Sequence, residues 1–252
     1  IKVEIKNKEI IRNLNLSIDK GKIYSIIGPN GSGKTTLLRV LSRNLKPKKG
    51  KVFLKNKDIF KLNTKAVAQT MAVLSQTNNG MTDVTVRDLI VYGRYAHKEW
   101  WRGSSDEDNK VVDWAIKTTN LKKFEKRKLN TLSGGERQRA WIAMAIAQDP
   151  EILLLDEPTT FLDISHQLEV LELISSLNKK NGITILMVLH DINQAARYSD
   201  EIIVIKEGEL YKQDNPWNIV NNITLKKVFN VQSTIAEDAD TGKPIFYPKK
   251  VI

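Results

Sequence analysis

The stretch Gly28-Pro-Asn-Gly-Ser-Gly-Lys-Thr-Thr36 constrains the fold more than any other part of this 252-residue chain. It follows the apolar run Ile23 to Ile27 and leads into a helix-forming segment, Lys34 to Leu41. Strand, glycine-rich loop, Lys-Thr pair and helix in that order make a phosphate-binding loop. Glycines let backbone N–H groups face phosphate oxygens, and the helix N-terminus adds partial positive charge. Asn30, Gly31, Ser32, Gly33, Lys34, Thr35 and Thr36 are therefore candidate nucleotide-binding residues. Lys34 has the reach for the terminal phosphates, and the Thr35 hydroxyl suits Mg²⁺.

Apolar, partly alternating segments predict strands at Ile1 to Ile5, Ile10 to Leu16, Ile23 to Ile27, Val52 to Leu54, Val73 to Leu74, Ile152 to Leu155, Ile183 to Leu189 and Ile202 to Ile205. The runs at Ile23, Ile152 and Ile183 are nearly continuous, as strands buried on both faces of a parallel sheet are. Helices are predicted at Lys34 to Leu41, Val84 to Tyr92, Glu107 to Thr118, Glu136 to Ala147, Ser165 to Leu177, Ile192 to Arg197 and Leu225 to Phe229. In the Ser165 helix, Leu168, Leu171, Ile174 and Leu177 are expected to line one face. Residues 77–132 are polar and mostly helical, an insert in an α/β core. After Phe229, "DADTGKP" predicts a turn between two short strands.

Other residues carry chemistry by where they fall. "ILLLDEP", Ile152 to Pro158, is a buried strand ending in two acids. Carboxylates at the end of a parallel strand lie where ligands of α/β sheets bind. Asp156 is a candidate Mg²⁺ holder and Glu157 a candidate base for an attacking water. His190 ends the Ile183 strand and is placed to sense a γ-phosphate; Gln76 ends another and can reach metal or water. His97 and His166 lack such placement and read as surface or packing residues. Glu237, Asp238 and Asp240 lack a Ca²⁺ spacing and read as a polar turn. "LSGGE", Leu132 to Glu136, joins a hydroxyl and two glycines to a helix start, yet no strand runs into it. It is a second phosphate grip in a chain that already has one.

Charge and cysteine usage narrow the setting. The formal net charge is +11, but the lysines are spread along the chain with no basic block interleaved with aromatics. A solvated, Lys-rich surface explains that better than a nucleic-acid groove, and no nucleic-acid partner is expected. No cysteine is present, so disulfides and thiolate metal sites are excluded. The longest apolar run falls far short of the roughly 20 residues of a membrane span. No charged-apolar-small signal pattern opens the chain, so a cytoplasmic protein is expected.

The phosphate loop, Gln76, "LSGGE", "LLLDEP", Asp163 and His190 stand in the order of the ATP-binding cassette (ABC) ATPases, and the chain resembles that family from about residue 1 to 229. The resemblance implies an α/β P-loop NTPase fold: a RecA-like core, an antiparallel β part and a helical signature subdomain. It implies one domain over residues 1–252, with the helical insert at about 77–148 and a C-terminal extension at about 229–252. It implies ATP and Mg²⁺ as ligands, the metal held by Thr35, Gln76 and Asp156, with Glu157 and His190 catalytic. It also answers the question of the second grip. In this family two cassettes pack head to tail, so Ser133, Gly134, Gly135 and Glu136 would hold ATP bound to the partner copy, and Asp163 would lie in the loop that signals across that interface.

Two departures stand out. Ile5 occupies the position where most cassettes stack an aromatic on adenine, and Thr160-Phe161-Leu162 replaces the commoner Ser-Ala-Leu before Asp163. "VYGRYAH" at 91–97, "WIAMAIAQ", "LDISHQLEVLELI", "VLHDINQAARYSD" and the tail resemble the ATPases of ferric-siderophore importers, of hydroxamate and dicitrate type. That likeness implies two transmembrane permease subunits docked at 91–97, an extracytoplasmic siderophore-binding protein, and a place on the cytoplasmic face of the membrane. Trp100-Trp101 could anchor the permease or pack on the helical insert. Cobalamin, haem, and manganese or zinc importers are neighbouring alternatives. A non-transport cassette acting on nucleic acid is a more distant one, and a P-loop kinase would leave "LSGGE" without a role.

Overall fold

The chain opens with two short antiparallel strands, β1 (Val3–Ile5) and β2 (Lys8–Ile11). Lys6 and Asn7 between them both take positive φ, the geometry of a tight two-residue hairpin. β3 (Ile23–Ile27) is buried at all five positions, and α1 (Lys34–Leu41) follows it. β4 (Phe53–Leu54) and β5 (Lys57–Asp58) make a second hairpin, again with both turn residues, Lys55 and Asn56, at positive φ. Then come α2 (Thr64–Thr70), β6 (Met71–Leu74), α3 (Val86–Tyr92), α4 (Asp106–Thr118), α5 (Gly134–Ala147), β7 (Ile152–Asp156) and α6 (Ile164–Asn181). The chain finishes with β8 (Thr184–Val188), α7 (Ile192–Tyr198), β9 (Glu201–Lys206), β10 (Glu209–Asp214), α8 (Pro216–Ile219), α9 (Asn222–Phe229), β11 (Val231–Glu237) and β12 (Pro244–Val251).

The computed structural model describes residues 1–76, 83–97 and 105–252. Contacts divide the chain into two units, Ile1–Lys61 with Leu186–Ile252, and Leu62–Ile185, the division falling inside β8. In the first unit the strand order is β10-β9-β3. β3 runs parallel to β9, Tyr24 opposite Glu201 through Ile27 opposite Val204, while β10 pairs antiparallel with β9. Leu189 N–H, just past β8, donates to Ile26 O. In the second unit β6 runs parallel to β7, Met71 opposite Ile152 through Leu74 opposite Leu155. Thr184 N–H of β8 donates to Glu151 O there. Parallel pairs with an antiparallel edge and helices between the strands make the fold α/β.

The helices of the second unit start on strong local signals. Thr85 with Asp88, Ser105 with Asp108 and Ser133 with Glu136 each form a reciprocal capping box, opening α3, α4 and α5. α6 opens on Asp163 and ends on Gly182 in the left-handed region.

Two expectations are corrected. The strand expected from Ile10 to Leu16 ends at Ile11. Asn13 takes positive φ, and Arg12 N–H and Leu14 N–H donate to Gly208 O and Ile1 O rather than to a continuing ladder. Leu168 is 39 % exposed, and Val170 joins Leu171, Ile174 and Leu177 on the buried face of α6. A row spaced by three residues drifts around a helix of 3.6 residues per turn, so its first member rotates into solvent. Among the described residues no helix is long and apolar enough to cross a membrane.

Candidate nucleotide site

In the first unit, β3 delivers the chain to Gly28, close against the backbone of β9. A Cβ at Gly28 would lie 2.1 Å from Ile205 O of β9, so the backbone can pass only where there is no side chain. The loop then turns into α1 through Gly33, its N-cap residue. Lys34 is only 6 % exposed, and its Nζ donates to Gly28 O at 2.9 Å and Pro29 O at 3.0 Å. Its charge is thus held over the loop's own carbonyls. Ser32 Oγ is buried with no hydrogen-bond partner among the described residues, as a hydroxyl shaped for a ligand oxygen would be. Asn30 and Thr35 are exposed and Thr36 half-exposed at the mouth of the same loop. His190 lies just after β8 and is exposed, followed by Asp191, which caps α7. Ile5 stands partly exposed at the end of β1.

In the second unit, Asp156 is the last residue of β7 and is buried. Glu157 follows at φ 54, a conformation uncommon outside glycine. Its Oε2 accepts from Gln76 Nε2 at 2.6 Å and from Thr160 Oγ1 at 3.0 Å. From the sequence, Gln76 and Glu157 take separate roles, toward metal or water and as base; here they touch. Thr160 was missed as a partner, since nothing in its spacing marks a hydroxyl three residues on as a brace.

The second grip is built as a helix start. Ser133 Oγ accepts from Glu136 N–H at 3.3 Å, and Glu136 Oε2 accepts from Ser133 N–H at 2.8 Å. Glu136 is thereby committed to the cap, while the Ser133 O–H remains able to donate. Gly135 is crowded: a Cβ there would lie 2.1 Å from His166 Cδ2. His166, read from sequence as a surface or packing residue, packs against Gly135, and its Nδ1 sits 2.7 Å from Asp163 Oδ1. The same carboxylate oxygen accepts from His166 N–H and Ser165 Oγ, both at 2.9 Å. The His166 backbone N–H, then its imidazole, then Ser165, hold Asp163 down to a pKa of about 2. Phe161, beside it, is 96 % exposed.

In the segment 91–97, Gly93 and Arg94 are buried while Tyr95 is exposed. Arg94 is buried, its Nε 2.8 Å from Asp108 Oδ1 and its Nη1 2.9 Å from Ala147 O at the end of α5. Burial pushes the Asp108 carboxyl up, but Arg94 and the Ser105 N–H and hydroxyl outweigh it and hold the pKa below its ordinary value. His97 Nε2 lies 2.7 Å from Gln148 O. Tyr92 and Tyr95 stack at 5.7 Å, and Tyr95 is the outward member. Trp100-Trp101 lies outside the described residues.

Taken with the fold, these parts define a class: the chain belongs to the ABC transporter family, whose model matches residues 11–160. It is an enzyme of that family, binding ATP and hydrolysing it to drive transport. Among its relatives, petrobactin import ATP-binding protein FpuC of Bacillus anthracis is 48% identical over 241 residues, 96% of this chain and 88% of that protein. Iron(3+)-hydroxamate import ATP-binding protein FhuC of Bacillus subtilis is 45% identical over 239 residues, 95% of this chain and 89% of that protein. Of the solved structures, a dimeric ATP-binding cassette in a post-hydrolysis state with ADP and Pi superposes with a TM-score of 0.73 at 30% identity. It covers 85% of this chain and 94% of that one.

Proposed function

We propose that the chain is the ATP-hydrolysing subunit of a ferric-siderophore importer. One observation carries the cargo: identity of 42% to 48% along nearly the whole chain to ATP-binding proteins named for petrobactin, iron(3+)-hydroxamate, achromobactin and enterobactin transport. In this reading two copies pair head to tail on the cytoplasmic face of the membrane, each against one of two permease subunits. An extracytoplasmic binding protein delivers the chelate.

Each residue then has a task. Asn30 to Thr36 cradle the phosphates, with Lys34 exchanging loop carbonyls for phosphate oxygens. Thr35, Gln76 and Asp156 offer hard oxygen donors that suit Mg²⁺, which when bound would neutralise phosphate charge. Glu157, its orientation fixed by Gln76 and Thr160, takes the proton of the attacking water. His190 donates toward the γ-phosphate. Ser133, Gly134 and Gly135 of the second copy close over the same phosphate, backed by the start of α5. Glu136 serves as cap rather than as phosphate ligand, because a carboxylate would repel the anion. Asp163 holds the loop beside the grip.

The test is uptake of radiolabelled iron as hydroxamate, catecholate and citrate complexes in cells carrying either this chain or its Glu157→Gln variant. Loss of one or more complexes in the variant supports the reading, and hydrolysis in vitro should fall by about 10²-fold or more. Normal entry of every complex in the variant cells sinks the siderophore cargo, and cobalamin, haem, and manganese or zinc come next.

A further inference from the structure

We infer that the C-terminal hairpin, β11 and β12, is a positioning element for His190, acting through Asn193 of α7. The inference rests on the role of His190 proposed above. α7 has seven residues, too few to be stable on its own. Whatever holds it also sets the direction of the exposed His190 and Asp191 just ahead of it. Ile192, Ala195 and Ala196 bury one side of α7. The hairpin takes hold of others.

At the first turn, the Asn193 amide pairs with one residue of β12 as a neighbouring strand would. Its Nδ2 donates to Phe246 O at 3.1 Å, and Phe246 N–H donates back to its Oδ1 at 2.9 Å. Phe246 stands opposite Ile235 in the hairpin register, so one amide links α7 to a two-stranded unit rather than to a loose end. At the last turn, Arg197 Nη1 reaches Asp238 Oδ2 at 2.7 Å, and Lys243 Nζ donates to Ser199 O at 2.6 Å. Asp238 is itself fixed, accepting from Asp240 N–H at 3.1 Å and Thr241 Oγ1 at 2.9 Å. Trp217 Nε1 of α8 ties down the hairpin turn at Gly242 O, 3.0 Å away. The hairpin therefore grips α7 at both ends, and its own turn is anchored. A segment serving only to cover apolar surface would not need directional bonds to both ends of one short helix.

The experiment measures steady-state ATP hydrolysis and thermal unfolding of the full chain and four variants: Asn193→Ala, Asn193→Asp, His190→Ala, and Asn193→Ala combined with His190→Ala. Asn193→Asp is nearly isosteric; it keeps the bond from Phe246 N–H and loses the one to Phe246 O. The expected result is a kcat lowered by about tenfold in Asn193→Ala and by less in Asn193→Asp, with KM for ATP within about twofold of the parent. In the His190→Ala background Asn193→Ala should lower kcat no further, because both changes act on one group. A lower unfolding temperature with unchanged kcat per folded molecule overturns the inference, as does full additivity. If His190→Ala keeps the parent kcat, the role of His190 fails and the inference falls with it. If His190→Ala is impaired and both Asn193 variants are not, the inference alone falls.

Discussion

Asp163 shows how a residue singled out for signalling is first a piece of local chemistry. Its carboxylate caps α6, accepts the His166 imidazole and so borders Gly135 of the grip. Its pKa of about 2 lies below the ordinary 3.8, so the carboxylate form is bound more tightly in the folded state. The sign follows: the stabilisation is complete above about pH 3.8 and is lost as pH falls through about 2. The carboxyl carbon of Asp163, followed by NMR, should titrate with a midpoint near 2, and Asp163→Asn should flatten the acid limb of the stability curve in that window. A midpoint at the ordinary value would deny the cap and the imidazole contact together. The sequence showed Asp163 by its place in a motif, but not the imidazole beside Gly135. That contact joins residues about 30 apart, and no local spacing encodes it.

At the scale of the element, α5 is a rod with the grip at one end and Arg94 at the other. Arg94 brings a cation to the helix C-terminus, where the last carbonyls are unsatisfied, and takes Asp108 with it. Arg94→Ala leaves a buried carboxylate without its partner and should cost about 3–5 kcal/mol in urea unfolding. Arg94→Met with Asp108→Asn should recover part of that loss, since a neutral amide asks for no counter-charge and its oxygen can keep the Ser105 cap of α4. A single variant as stable as the parent would mean the pair is solvated. The elements themselves were largely legible. β3 and α1 fall where the hydrophobic runs put them, and the capping boxes mark the helix starts. β10 and α2 were missed because their sequences, ELYKQD and TKAVAQT, carry little apolar signal; β10 is an edge strand and α2 buries only Val67. The burial of Arg94 was missed as well, because a lone arginine reads as surface until its partners, Asp108 and Ala147 O, are seen.

Over the whole molecule, the +11 charge admits a simple check on the reading of a transport ATPase. Counterion release makes nonspecific binding to nucleic acid fall steeply with salt. Hydrolysis by the chain should therefore be unchanged, within about twofold, by duplex DNA or RNA at ~150 mM salt. Salt-resistant stimulation would return the nucleic-acid alternative. The division of the chain has a further consequence, for its birth. Leu62–Ile185 is one continuous stretch, whereas the unit that carries the phosphate loop is completed only by Leu186–Ile252. A ribosome making about 5–20 residues per second would hold that loop without β9 for about 8–33 s while roughly 165 residues pass. During that interval Ile205 O does not yet flank Gly28. The nascent chain is thus expected to be nucleotide-blind until β9 has emerged, long after its phosphate loop has been made.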